Sequence, residues 1–176
     1  MDIDIFANVP LINENGQINN PKELWAEKTA VFVFLRHFAC IACRAHAKQI
    51  WQQKDTFEKN GSQIYFIGNG KPHFIIQFKE ELDMSDSITF TDPTLEAFQA
   101  FGFKKGFLAS AGPSALVNAI KLKIAGHKGV EYQEGMGDLW QLGGIVVVNT
   151  SGQVVYKYVS EVLGDFPPEK DYNDLK

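Results

Sequence analysis

Both cysteines of the chain, Cys40 and Cys43, stand in the stretch "FLRHFACIACRAH", spaced C-x-x-C. The thiolate is the nucleophilic form of cysteine, and a second thiol one helical turn away can close a disulfide on whatever the first has attacked. Arg36 and Arg44 bring permanent positive charge into the same stretch, and His37 and His46 could add more. These residue types at this spacing suit a redox dithiol, with Cys40 as the attacking thiolate and Cys43 as the resolving thiol. Two other readings use the same residues. Free cysteine packs as a small hydrophobe, and the intervening Ile41 and Ala42 are apolar. Zinc could draw on Cys40, Cys43, His37 and His46. Structural zinc, however, usually takes two ligand pairs from separate knuckles, and His37 would have to turn off a strand end. The expectation is therefore no metal and no organic cofactor.

The dithiol needs elements to hold it. "AVFVFLRHF", residues 30–38, is a continuous apolar run without alternation, as in a central strand covered on both faces. From Cys40 to Asn60-Gly61 the composition turns helical, with Ile41, Ala45, Ile50 and Phe57 as a loose apolar stripe. Cys40 then falls at a helix N-terminus, where unpaired N–H groups and the helix dipole favour an anion. Cys43 lies one turn on, on the same face. Their separation is within reach of a disulfide.

The remaining segments continue the pattern. "SQIYFIGNG" is a strand, "PHFIIQFKEELDMS" a helix, "SITFTDPT" a strand and "TLEAFQAFGF" a helix with Thr94 as its cap. Alternating strands and helices predict an α/β fold with a largely parallel sheet. "NENGQINN" is the tip of an early hairpin, and "PKELWAEK" a helical turn opened by Pro21. Residues 104–141 interrupt the alternation as an insertion, with a helix at "SALVNAIKLKIAG" and a glycine-studded loop. "IVVVNTSGQVVYKYVS" is a hairpin, and the tail from Gly164 carries no core signal. Phe78, Phe98, Phe101 and Phe103 are core residues by their spacing. "GNG" at 68–70 marks a turn. His73 and His127 belong to the surface.

With 176 residues, 45% of them apolar and 14 of them Phe, the chain can bury a core as one domain, residues 1–176. Its 17 basic and 21 acidic residues give a net charge of -4, which argues against nucleic acid or an anionic membrane as partner. No apolar run approaches the roughly 20 residues of a membrane span. The start, "MDIDIFANVP", has no basic region of a secretory signal, so a cytoplasmic location is expected, where thiols stay reduced.

"VFLRHFACIACR" resembles the F-[LV]-R-[HR]-F-x-C-x-x-C-[RK] segment of the peroxiredoxin-like 2 family, a branch of the alkyl hydroperoxide reductase/thiol-specific antioxidant group. "IYFIGNGKPHFIIQFKEELDMSDSITFTDPTLEAFQAFGF" and "DLWQLGGIVVVNTSGQVVYKYVSEVLGD" are similar to the strand, turn and hairpin segments of the same family. The likeness runs from about residue 30 to 165. It implies a thioredoxin-like fold with a central mixed sheet flanked by helices. It also implies an antioxidant oxidoreductase in which Cys40 reduces a peroxide or a related substrate. Cys43 would close a Cys40–Cys43 disulfide, and thioredoxin or glutathione would restore the dithiol. Arg36, His37 and Arg44 fall on the basic positions flanking the motif, where they would hold the thiolate and the substrate oxygen. Gly143 and Gly144 precede the strand whose start faces the redox cysteine and are expected to bind substrate. Peroxiredoxins at large carry P-x-x-x-T-x-x-C. Here Val33 and His37 occupy the Pro and Thr positions, and Gly143 falls where their second Arg stands. A thiol–disulfide reductase without peroxidase activity, or a redox-sensing binding protein of the same fold, are the alternatives.

Overall fold

The computed structural model describes residues 2–106, 112–167 and 171. Its strands are β1 (Leu11–Ile12), β2 (Ile18–Asn19), β3 (Thr29–Phe34), β4 (Ser62–Gly68), β5 (Ile88–Thr91), β6 (Gly144–Val148) and β7 (Val154–Val159). They form one sheet in the order β2-β1-β5-β4-β3-β6-β7. β3, β4 and β5 run parallel, but the other pairings are antiparallel. The sheet is thus mixed rather than largely parallel. The reason is topological: the insertion delivers β6 to β3 from the opposite end, and the turn at Asn149–Gln153 folds β7 straight back onto it.

β3 is the middle of the molecule. Val31, Val33 and Leu35 point into one core with Ile50, Phe57 and Phe78. Ala30, Phe32 and Phe34 point into another with Phe6, Phe98, Phe101 and Phe103. Burial on both faces is why the run lacks alternation. It also divides the four phenylalanines between the two sides of the sheet.

The helices are α1 (Ile3–Phe6), α2 (Pro21–Leu24), α3 (Ile41–Trp51), α4 (Lys54–Lys59), α5 (Phe74–Glu81), α6 (Glu96–Ala100) and α7 (Pro113–Ile124). Three expectations are corrected. The helix expected from Cys40 to Asn60 is two, because Gln52 and Gln53 form a turn in which the Gln53 N–H bonds to the Ile50 carbonyl at 3.0 Å. Thr94 does not cap α6. The Asp92 carboxylate does, accepting from Ala97 N at 2.7 Å and from Thr94 N and Oγ1 at 3.0 and 2.6 Å, and Leu95 takes a left-handed turn at φ 64°. The tail is held as far as Pro167. Asp165 accepts from the Tyr158 hydroxyl at 2.5 Å and from Glu161 N at 2.8 Å, and Phe166 stacks on His46. The rest of the tail, apart from Asp171, lies outside the described residues. Among the described residues, no helix is long and apolar enough to cross a membrane.

Candidate active site

The site forms where β3 leaves the sheet. The last sheet-like bond is Leu35 N to the Ile67 carbonyl, at 2.8 Å. The chain then bends through Arg36–Ala39 and enters α3 with Cys40 as its N-cap, at φ -65° and ψ 120°. In this cap the Cys40 sulfur replaces the usual side-chain oxygen: Cys43 N–H points at Cys40 Sγ, 3.5 Å away. Arg36 N–H donates to Cys43 Sγ at 3.2 Å. Both cysteines are free thiols.

The two thiols are electrostatically unequal. The Cys43 thiol hydrogen-bonds to Cys40 and stabilises its anion. The Arg36 charge and the N–H groups of Cys43 and Ala42 add to this, against burial, so the Cys40 pKa falls below the ordinary thiol range to about 6. Burial and the neighbouring Cys40 push the Cys43 thiol up. A helix N-terminus and an adjacent cation are the usual means of making a thiolate at neutral pH.

Arg36 is 7% exposed. Its Nε donates to the Leu139 carbonyl at 2.8 Å, and Nη2 reaches the same oxygen. The insertion therefore holds this guanidinium in place. Asn69, in the "GNG" turn, is a site residue that the sequence reading treated only as a bend. Its Nδ2 donates to the Arg36 carbonyl at 2.7 Å, and its Oδ1 accepts from Asp138 N at 2.6 Å. Gly137, at φ 118°, makes that approach possible, since a Cβ there would lie 2.4 Å from Asn69 Oδ1.

The other expected residues divide between two environments. Arg44 is buried but turns away from the thiols. It bonds to Glu81 Oε2 at 2.7 Å and to the Phe38 carbonyl at 3.3 Å, and it lies 5.8 Å over the Phe78 ring. His37 sets its ring edge-on to Tyr132, with centroids 5.7 Å apart. Burial, with the Arg36 charge, pushes its pKa down to about 3, so it is neutral and adds no positive charge. His46 is likewise neutral, pushed down to about 4 by burial. Among the described residues no three His, Cys, Asp or Glu side chains converge as metal ligands.

Gly143 and Gly144 do reach the cleft that holds the thiols. A Cβ on Gly143 would sit 2.0 Å from the Phe34 carbonyl oxygen, and one on Gly144 would sit 2.0 Å from that of Tyr158. Glycine here lets the start of β6 lie against the end of β3. The cleft itself is small, about 30 Å³, and is lined by Arg36, Cys40, Cys43, His46, Gly143 and Phe166 among others.

The comparisons with known proteins concern the family and the fold. A family model described as AhpC/TSA antioxidant enzyme matches residues 49–162. Prostamide/prostaglandin F synthase of Xenopus tropicalis is 31% identical over 157 residues, covering 88% of this chain and 77% of the relative. The chloroplastic thioredoxin-like protein AAED1 of Arabidopsis thaliana is 25% identical over 174 residues, covering 96% of this chain and 70% of the relative. Among solved structures, peroxidoxin BcpB of Mycobacterium tuberculosis superimposes with a TM-score of 0.66 at 16% identity, over 92% of this chain and 87% of that one. Peroxiredoxin 6 of Arenicola marina gives 0.67 at 10% identity, over 99% and 71%. The fold is that of the thioredoxin-like peroxiredoxins, and the chain belongs to the AhpC/TSA antioxidant enzyme family, as a thiol-dependent oxidoreductase.

Proposed function

We propose that the chain, working as one domain, reduces the O–O bond of an organic hydroperoxide or related peroxide through Cys40. The observation that carries this reading is the pairing at the α3 N-cap: one thiol with a lowered pKa, a second thiol bonded to it, and a fixed guanidinium alongside. The Cys40 thiolate attacks one peroxide oxygen and takes it up as sulfenic acid, while the other oxygen leaves and is protonated to an alcohol or water. Arg36 stabilises the charge that shifts onto the oxygens. The Cys43 sulfur then displaces the sulfenic oxygen as water and closes the Cys40–Cys43 disulfide. A dithiol donor such as thioredoxin, or glutathione, restores the pair. Gly143 and Gly144 offer backbone rather than side chains to the substrate. His37 contributes through its backbone, which faces Cys43. Arg44 supports the fold of the α3 start through its bonds to Glu81 and Phe38. The name of the vertebrate relatives, a synthase of prostamide and prostaglandin F, supports an organic substrate. We place the protein in the cytoplasm, where such donors keep thiols reduced.

Reduced protein mixed with an alkyl hydroperoxide should lose two thiols per peroxide consumed, followed by mass spectrometry. Cys40→Ser should abolish the reaction, and Cys43→Ser should stop it at the sulfenic acid. Equal rates for Cys40→Ser and the wild type would refute the assignment. A second reading, a thiol–disulfide reductase, is favoured by the paired thiols themselves, a lowered-pKa Cys40 beside a second thiol. Turnover with disulfides and not with peroxides would establish it.

A further inference from the structure

The dithiol cycle needs a base. Cys43 must lose its proton to attack Cys40, yet it is the thiol whose ionisation burial opposes. The cleft is small, about 30 Å³, and Val162–Gly164 and Phe166 are part of its lining. One side chain in the same cleft has the required chemistry and no other employment. His46 lies three residues after Cys43 on α3, hence one turn along on the same face. It is 6% exposed. One face of its ring stacks on Phe166, with centroids 4.3 Å apart and planes 20° from parallel. Its Nε2 is buried without a hydrogen-bond partner among the described residues. A buried polar atom of that kind usually carries a cost, and a site that keeps one commonly has a use for it. His46 and Cys43 both line the cleft, whose roughly 30 Å³ is room for about one water.

We propose that His46 is the proton relay of the resolving step, and this rests on the dithiol cycle proposed above. As the Cys43 sulfur bonds to the Cys40 sulfur and the S–O bond breaks, the Cys43 proton passes through one water to His46 Nε2. It is then returned to the departing hydroxide, which leaves as water. Cys43 sulfur is oxidised, Cys40 sulfur is reduced from the sulfenic to the disulfide level, and no external acid or base is consumed. Two features make the imidazole suitable. Its Nε2 has no hydrogen-bond partner among the described residues and can hold the proton in transit, and Phe166 fixes the ring plane. The titratable or charged groups lining the cleft with it are Arg36 and Cys40 from the loop after β3 and Cys43 from α3. From the segment after β7, Asp165 lies next to Phe166 and is engaged by the Tyr158 hydroxyl.

The test separates the two steps. Cys40 is oxidised with hydroperoxide, or converted to a mixed disulfide with a chromogenic aromatic disulfide, in wild type, His46→Gln and His46→Phe. Disulfide closure is followed in stopped flow across pH 5–9. Closure should slow about a hundredfold relative to Cys40 modification in both variants, the lower end of general acid–base effects. In both it should become proportional to hydroxide, where the wild type is nearly flat. His46→Phe keeps an aromatic ring against Phe166, and near-ultraviolet circular dichroism checks that both variants are folded. Closure at the wild-type rate, with the wild-type pH profile, would overturn the relay. Should peroxide fail to react while the mixed disulfide forms and closes, the peroxidase reading fails, and the relay is still judged by the pH profile of closure.

Discussion

Two hollows border the α3 start, one lined by Cys40, Ala42 and Cys43 and the other by Ala39 and Ile41. One is the dithiol cleft, about 30 Å³, where two thiols, a guanidinium, an imidazole and three glycines converge. The other is a groove of about 770 Å³ between α7 and the loop after it, lined largely by apolar residues such as Ile41, Leu116, Ile120 and Val130. The larger one has the volume of an ordinary ligand site. The smaller one has the chemistry. A reactive sulfur needs a cation, donors and exclusion of water within a few ångströms, and empty volume supplies none of these. What the groove side contributes is support: Val130 N bonds to the Ala39 carbonyl, and Met136 accepts from Phe38 N.

The largest effect should come from filling the cleft's backbone contact. Gly143→Val puts side-chain atoms where the Phe34 carbonyl oxygen stands, so β6 must separate from β3. Loss of cooperative thermal unfolding by calorimetry is expected; a native melting curve would show that the strands can part cheaply.

Arg36 and Arg44 sharpen the contrast next, being equal in charge and in burial. Arg36→Leu should raise the Cys40 pKa by about one unit and cut its alkylation rate at pH 6 roughly fivefold, the cost of losing one nearby cation. Arg44→Leu should leave the alkylation rate within twofold and lower stability in urea by about 1–2 kcal/mol, because Glu81, its carboxylate partner, is partly solvated. The opposite pattern would exchange their roles.

Acid should then weaken the fold. His37 and His46 are neutral when folded, with pKa values of about 3 and about 4, below the ordinary 6.5. The unfolded chain takes up those protons first. Each histidine therefore contributes stability that is present above pH 6.5 and is lost as pH falls, towards about 3 for His37 and about 4 for His46, at about 1.4 kcal/mol per pH unit. Urea midpoints at pH 7 and pH 5 measure this, and His46→Phe should reduce the slope.

The smallest effect belongs to the groove. Ile120 is half exposed at its edge, so Ile120→Asp should change the Cys40 alkylation rate by less than twofold. A tenfold change would mean that the groove acts on the thiol.

What could be seen beforehand followed distance along the chain. β3 announced itself because burial on both faces writes an unbroken apolar run. The N-cap position of Cys40 followed from that run giving way to helix formers, and the late hairpin from Asn149–Gly152. The partners of the charged residues were not legible. Arg36 and Arg44 sit on either side of the same motif. Their directions are decided by the Leu139 carbonyl and by Glu81, 103 and 37 residues away. Asn69 looked like a turn residue because its two bonds reach Arg36 and Asp138, both remote in sequence. Phe166 lay in a tail without periodicity, and only its stacking on His46 brings it to the site.

The inequality of the two thiols underlies the whole account. Reduced protein treated with iodoacetamide between pH 4 and pH 9, with peptide mass spectrometry to assign the label, measures it directly. Cys40 should be labelled with a midpoint near pH 6 while Cys43 stays unlabelled through neutral pH. Labelling of Cys43 first, or of both together near pH 8–9, would contradict it.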